Sequence, residues 1–531
     1  MKRIFEKNGV LRSVGFLMTL VSFILFIVAA FIGNYTADMI LKSVGILLFT
    51  VGGLIVTINS KDHQLVKSLL VIVAAAIISS WLYPYGYFQG TDFSEYGFRR
   101  IGIVDLGYAL YYAINFVMDK ITFLLITAGF YGVVSKTSGY QKLVTGIAGK
   151  LKNKPIITSI CISVLLFVFT SLFSQTFVVI LFIPFFVSIL AKMNMDKLTT
   201  FAVTFGSALV GVLGATYGTD ALVSFNYYMG QELSVGLTYR FIVAAVALVL
   251  YDFFIVMRIK KVANKDSKKS TNTEKVEDPF EVENPRTKKG SLPVIIVLCL
   301  IAIITILGYI NWQSNFKIEV FNSFHEWLTT LEAGEGFTIF SYILGANANA
   351  FGAFSYVFTI GGMLLLASAL LAYLYHMSLD EYFQNFYEGL KKAFKPILYV
   401  IGVYIVFGIC YLSPFVPTLA NWVLNFVVGF NPFLTTLIAF ITSLFHADLG
   451  YSSYLVGGFV SAVYADNIDI AHTIFTSMYG LVQVFMPTSL VLVTGLSLMK
   501  VNYKDWFKYI WLFVVGMLVV LLVLFTVVTY I

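Results

Sequence analysis

Charged side chains are what this sequence has least of. Thirty-five Lys and Arg and 28 Asp and Glu make 12% of 531 residues, about half the 25% or so usual in soluble domains. Hydrophobic residues reach 59%, more apolar surface than a water-soluble fold can hide behind so few charges. Cysteine is nearly as scarce. The three (Cys161, Cys299, Cys410) sit far apart in apolar stretches, which excludes a disulfide framework and a CxxC metal site. Five histidines without metal-like spacing speak against a metal cluster. No Gly-rich loop ends in Gly-Lys-Ser/Thr, so ATP is not the expected driver. The net charge of +7 comes from short basic runs between apolar spans, a pattern of membrane topology and not of a nucleic-acid partner.

What is present is long apolar runs. Val14–Ile32, Leu292–Ile310 and Trp511–Ile531 can each cross about 30 Å of hydrocarbon at about 1.5 Å per residue. The expected fold class is therefore all-α: a polytopic membrane protein whose partner is the lipid bilayer. Spans are expected at about 13–33, 39–58, 68–83 and 105–135. The first run has no small-residue cleavage site and reads as a retained helix with a cytoplasmic N-terminus. Between the third and fourth spans lies a polar, aromatic external loop, and Trp81, Tyr83, Tyr85, Tyr87 and Phe88 read as an interfacial aromatic belt. Five lysines in residues 136–154 mark a cytoplasmic loop.

Pro155–Leu190 is too long for one span and lacks a loop for two. Its polar break is Thr170, Ser171, Ser174, Gln175 and Thr176, and Lys192 and Lys197 follow it. A re-entrant hairpin satisfies both facts. The glycine-broken run Gly206, Gly211, Gly214, Gly218 comes next. The charged segment 258–291 reads as a disordered cytoplasmic linker. Asp119, Lys120 and Asp252 read as interhelical structural pairs. The chain thus divides into N-terminal helices and an external loop (1–104), a first repeat (105–257), the linker (258–291), a connecting transmembrane region (292–384) and a second repeat (385–531).

The repeats rest on collinear matches. Thr170-Ser171-Leu172-Phe173 recurs as Thr442-Ser443-Leu444-Phe445, Phe186-Val187-Ser188 as Phe459-Val460-Ser461, Gly206 as Gly480 and Thr216 as Thr488. Lys154-Pro155 and Asn431-Pro432 extend the register with a slip. Residues 413–432, the counterpart of the basic loop 136–154, hold no Lys or Arg. The copies are therefore expected in opposite orientation, each with a re-entrant hairpin and a broken helix, the inverted-repeat plan of secondary transporters. The free helix ends of such breaks can hold an anion and a cation near the midplane.

These residues carry a resemblance. Ser174-Gln175-Thr176 in an apolar hairpin resembles the Ser-Asn-Thr of the ion-transporter superfamily, which includes sodium-coupled di- and tricarboxylate carriers. The broken helix ending Gly214-Ala215-Thr216-Tyr217-Gly218-Thr219 is similar to the one that follows there. Met486-Pro487-Thr488-Ser489 and Tyr503 through Trp506-Phe507-Lys508 resemble the closing pattern of Pro-Thr-Ser, apolar helix, Tyr and Trp-x-Lys. Leu379-Asp380-Glu381 to Glu388-Gly389 resembles a linker of the C4-dicarboxylate anaerobic carrier branch. The likeness covers roughly 105–531. Gln175, Tyr217-Gly218 and the second hairpin tip, His446 to Ser453, depart from the pattern and put substrate identity in question. The resemblance implies an elevator-type carrier, a homodimer in which hairpins and broken helices move.

The candidate substrate and ion residues are Ser174, Gln175, Thr176, Gly214, Thr216, Gly218, Thr219, His446, Asp448, Ser452, Ser453, Pro487, Thr488 and Ser489. The hydroxyls and amide can alternatively bond back to nearby carbonyls. His446 and Asp448 are ionisable in an apolar hairpin; they are expected to hold Na⁺ or carry H⁺, or to be ordinary polar residues of a wet tip. The expected function is secondary active transport of a small organic anion (di- or monocarboxylate-like) across the plasma membrane, coupled to Na⁺ or H⁺, with an external C-terminus and no enzymatic activity. An intramembrane hydrolase or acyltransferase using His446, Asp448 and Ser452 or Ser453, and a passive channel, are the alternatives.

Overall fold

A computed structural model describes residues 7–173, 176–218, 220–266, 274–280, 290–334, 336–446 and 448–530. Helices dominate. The chain opens with α1 (Lys7–Phe31), α2 (Tyr35–Ile58) and α3 (Gln64–Leu82), followed by a small antiparallel hairpin of β1 (Gly86–Gln89) and β2 (Asp92–Glu95). Then come α4 (Ile103–Val134), α5 (Ser138–Leu151), α6 (Pro155–Leu172), α7 (Ile183–Lys192), α8 (Lys197–Phe201), α9 (Ser207–Leu213), α10 (Asp220–Met229) and α11 (Leu237–Asp266). Beyond the charged segment lie α12 (Leu292–Tyr309), α13 (Trp312–Phe316), α14 (Val320–Thr330), α15 (Ile339–Leu344), α16 (Gly361–Leu374) and α17 (Leu379–Leu412). The chain finishes with α18 (Val416–Leu424), α19 (Pro432–Phe445), α20 (Leu449–Val463), α21 (Ile468–Phe485), α22 (Leu490–Leu498) and α23 (Tyr503–Tyr530).

Among the described residues, eleven helices are long and apolar enough to cross a membrane. The last of them, α23, shows why the surrounding medium is hydrocarbon. Phe513, Met517, Leu521 and Phe525 are buried on one face, while Val515, Val519, Val523 and Val527 are each 44–57% exposed on another. A helix apolar on all sides but covered on only one would be unstable in water and is at home in a bilayer. The protein is a multi-pass membrane protein.

Two compact units form. The first comprises Met1–Val117, Phe225–Gln231 and Leu398–Ile531, the second Met118–Ser224 and Glu232–Ile397. Three of the four boundaries fall inside α4, α10 and α17, where helix continuity conceals them from any reading of linkers; the fourth lies between α10 and α11. In the second unit α6 packs on α9 and α11, and α5 on α7. In the first, α19 packs on α21 and α23, and α18 on α20. The order helix, hairpin, interrupted helix, helix thus occurs in both.

Local chemistry accounts for these elements. Pro155 and Pro432 each open a hairpin at the first helical position, where a missing N–H costs nothing. Asn431 adds a cap, accepting from Phe433 N at 3.0 Å and Leu434 N at 3.1 Å. Between α8 and α9 the helix widens into one π turn, Ala202–Gly206. Tyr251 on α11 donates its hydroxyl to the loosened Ala202 carbonyl at 2.8 Å, as such bulges require. Gly211 is there for contact: a Cβ would lie 1.9 Å from Thr170 Oγ1 and 2.5 Å from the Phe167 carbonyl, so only glycine lets α9 press against α6.

Two sequence expectations need correction. The segment 258–291 is not a uniformly disordered linker. Residues up to Asp266 continue α11, and 274–280 dock: Glu274 pairs with Lys197 at 2.6 Å, Val276 N bonds the Met195 carbonyl at 3.2 Å, and Phe280 is buried beside Tyr131. The polar composition that suggested disorder is offset by two apolar anchors. The aromatics after Trp81 are not simply a belt. Tyr83 is buried and stacks on Phe415, and Phe88 stacks on Phe459 at 4.4 Å. Lys120 Nζ reaches Asp119 at 3.0 Å; adjacent helix positions diverge, and the flexible lysine stem spans the gap. Asp252 does bond between helices, accepting from Ser163 at 2.6 Å, with Ser207 donating to Ser163 at 2.9 Å.

Candidate functional site

Within the second unit, the first hairpin and the first helix break are bonded to each other. Helix α6 stops at Leu172, and Phe173 is extended with its N–H on the Phe169 carbonyl. Ser174, Gln175 and Thr219 lie outside the described residues. Thr176 opens a short 3₁₀ turn, Thr176–Leu181, that leads into α7. Helix α9 ends at Gly214, and residues 215–218 are non-helical, with Gly218 buried. Across the gap, Ser171 Oγ donates to the Gly214 carbonyl at 2.5 Å and lies 3.0 Å from Thr216 Oγ1. Thr216 N–H donates to the Ser171 carbonyl at 2.9 Å. Thr170 bridges further back, donating to the Ala208 carbonyl at 2.9 Å.

A buried arginine completes this half. Arg240 on α11 is 1% exposed, donates Nη1 to the Thr216 carbonyl at 2.6 Å and Nη2 to the Leu233 carbonyl. Both carbonyls lie outside regular helix, Thr216 just past the end of α9 and Leu233 in the turn before α11, and such buried backbone acceptors need a donor. Sequence reading missed Arg240. It stands near the start of an otherwise apolar span, and that isolation was the available signal.

Within the first unit, the second half uses different donors. The last carbonyls of α21, on Val484 and Phe485, accept from Trp506 Nε1 at 2.9 Å and Tyr503 Oη at 2.7 Å. Both donors come from α23. The closing Tyr and Trp of the sequence pattern therefore cap the helix that Pro487 interrupts. Met486 is extended, and Ser489 caps α22 by accepting from Leu492 N at 3.3 Å. At the hairpin tip, Asp448 caps α20, accepting from Gly450 N at 2.8 Å. Ser452 donates to the Asp448 carbonyl at 3.2 Å, and Ser453 to the Phe225 carbonyl at 2.9 Å.

At the tip and the break, His446 Nε2, Gln483 Nε2 and Thr488 Oγ1 are buried and find no hydrogen-bond partner among the described residues, as is also true of Thr494 Oγ1 and Ser497 Oγ further along α22. His446 Nδ1 lies 3.0 Å from the Thr442 carbonyl, and its ring meets Tyr451 edge-on. A carbonyl can only accept, so Nδ1 carries the hydrogen; in its neutral form the ring then presents a lone pair at Nε2, and in its charged form an N–H. Gln483 was also missed; on an apolar helix its only sign was being an amide three residues from the break. A further polar pair joins α10 to α21, with Asn226 Oδ1 2.5 Å from His472 Nε2. Among the described residues, no group of three His, Cys, Asp or Glu could hold a metal ion.

An apolar exterior and many spans define a multi-pass helical membrane protein. The chain belongs to the C4-dicarboxylate anaerobic carrier family, whose model matches residues 16–530. The match includes α2, α3 and most of α1, which the motif resemblance over roughly 105–531 had left out. A comparison with curated proteins found no match.

Proposed function

We propose that this protein is a secondary active carrier of C4-dicarboxylates or closely similar small organic anions. The observation that carries the reading is the set of three buried, unpartnered polar atoms at the second hairpin tip and helix break. Burying such groups without a partner costs free energy, and a polar ligand supplies the partner. Thr488 and Gln483 offer an O–H and an N–H to a carboxylate. Gly214, Thr216, Ser452, Ser453 and Ser489 shape the hairpins and breaks that present those donors. Family membership supports the substrate class.

Coupling to Na⁺ or H⁺ belongs to the same reading, and the geometry of His446 favours H⁺. A lone pair at Nε2 repels a carboxylate, so the ring must gain a proton before it can donate to one. A dianion and a proton then enter together. Asp448 already accepts a backbone N–H as a cap, which fits a structural role better than a Na⁺ ligand. The two halves lie upside down relative to each other in this reading, supported by their common element order and by the lysines at 136–154 against none at 413–432. Elevator-type movement, a homodimer, a plasma-membrane location and a cytoplasmic N-terminus with an external C-terminus complete it.

Counterflow of radiolabelled succinate or fumarate in proteoliposomes tests the carrier. Exchange accelerated by internal unlabelled substrate is expected. Gradient-independent flux without exchange would indicate a channel, and a chemically altered product an enzyme. Thr145→Cys and Asn425→Cys should label from opposite sides; labelling from one side would end the inverted arrangement.

A further inference from the structure

The second unit encloses a cavity of about 550 Å³ that the carrier reading does not use. Its walls are α4, α5, both arms of the first hairpin and α12, with Phe173, Phe182, Ile147, Cys299 and Ala302 among the lining side chains. No charged residue lines it. Its hydroxyl, on Tyr131, already donates to the Leu181 carbonyl at 2.8 Å. A buried water needs two to four polar partners, so water has little hold here, and the volume falls within the roughly 300–1,000 Å³ of small-molecule sites.

Two observations identify the occupant. First, the cavity is continuous with the outer apolar surface. Leu165 and Val168 on α6 line it while being 55% and 41% exposed, and Cys299 on α12 lines it and is exposed, beside exposed Ile296, Leu300 and Ile303. Both helices are candidate membrane spans, so the medium at the opening is hydrocarbon chain. Second, the cavity's α5 wall leads to positive charge. Lys150 follows Ile147 by one turn, and Lys152 and Lys154 stand between α5 and α6, all three exposed. Basic clusters at a membrane interface attract anionic headgroups.

We propose that this cavity binds one acyl chain of an anionic phospholipid, with its phosphate held by Lys150, Lys152 and Lys154. The chain fills space against both arms of the first hairpin, so the lipid props the hairpin in place and links its position to membrane composition.

The test uses the full chain purified in detergent and supplied with phosphatidylglycerol or phosphatidylcholine at equal concentration. Native mass spectrometry should find one phosphatidylglycerol retained per chain, at least tenfold more often than phosphatidylcholine. Ala302→Phe fills the cavity, and K150E/K152E/K154E reverses the charge; each should cut retention at least fivefold. A phosphatidylglycerol carrying a diazirine on its acyl chain should photolabel α12 around Cys299 in the unaltered protein. No retained lipid, equal retention of both lipids, or labelling elsewhere would overturn the proposal. Should Ala302→Phe fail to fold, the lysine variant, altered only at exposed positions, still decides it: unchanged retention there overturns the headgroup assignment.

Discussion

Ser171 and Thr216 are 45 residues apart in the first half, and Ser443 and Thr488 repeat that spacing in the second. The same residue types in the same register end in opposite states. In the first half the serine donates across to Gly214 and sits against the threonine hydroxyl. In the second, Ser443 donates to Ala439 of its own helix at 2.6 Å, and Thr488 Oγ1 has no partner among the described residues. The difference arises from what else reaches the break. Trp506 and Tyr503 serve the carbonyls of the second interrupted helix, so Ser443 and Thr488 are not needed there. Among the described residues, Ser171 and Thr216 bond across the first gap, whereas Thr488 Oγ1 in the second has no partner.

The comparison can be broken most forcefully at Arg240. Arg240→Leu leaves the Thr216 and Leu233 carbonyls without this donor, and hydrogen bonds to a charged group contribute roughly 1.5–3 kcal/mol each. Thermal unfolding in detergent should shift down by the largest margin of any change considered, and uptake should fall with it. If stability holds, the first half is not locked through this residue. Ser171→Ala against Ser443→Ala is the sharper pair. The first removes a buried bond between segments and should cost about 1–3 kcal/mol. The second removes a local back-bond and should cost well under about 1 kcal/mol. Equal losses would erase the distinction between the halves. Thr488→Val should have the smallest effect on folding, because no protein bond is lost, yet raise the KM for dicarboxylate uptake about tenfold, or about 1.4 kcal/mol. An unchanged KM would remove Thr488 from the ligand's surroundings.

Much of the fold was legible because spans are long and apolar. The run expected at 292–310 is α12, that at 105–135 is α4, and Pro155 and Pro432 open the helices α6 and α19. Candidate site residues read from motifs divide. Thr488 and His446 hold atoms with no partner among the described residues, whereas Thr216, Ser453 and Ser489 are already bonded within the protein. Motif spacing records that a hydroxyl is present; it carries no record of which distant carbonyl that hydroxyl meets. Arg240, Gln483 and the docking of 274–280 escaped for the same reason, since each depends on residues far away in the chain.

By itself the sequence determined that this chain lives in a membrane, where it crosses and where its helices break. Those properties follow from local composition, because hydrocarbon accepts only apolar, internally bonded backbone. The tertiary structure alone decided which serine–threonine pair bonds across its break and which does not. Two chemically matched serine–threonine pairs received different neighbours, and a buried hydrogen bond forms only where its partner is brought within about 3 Å.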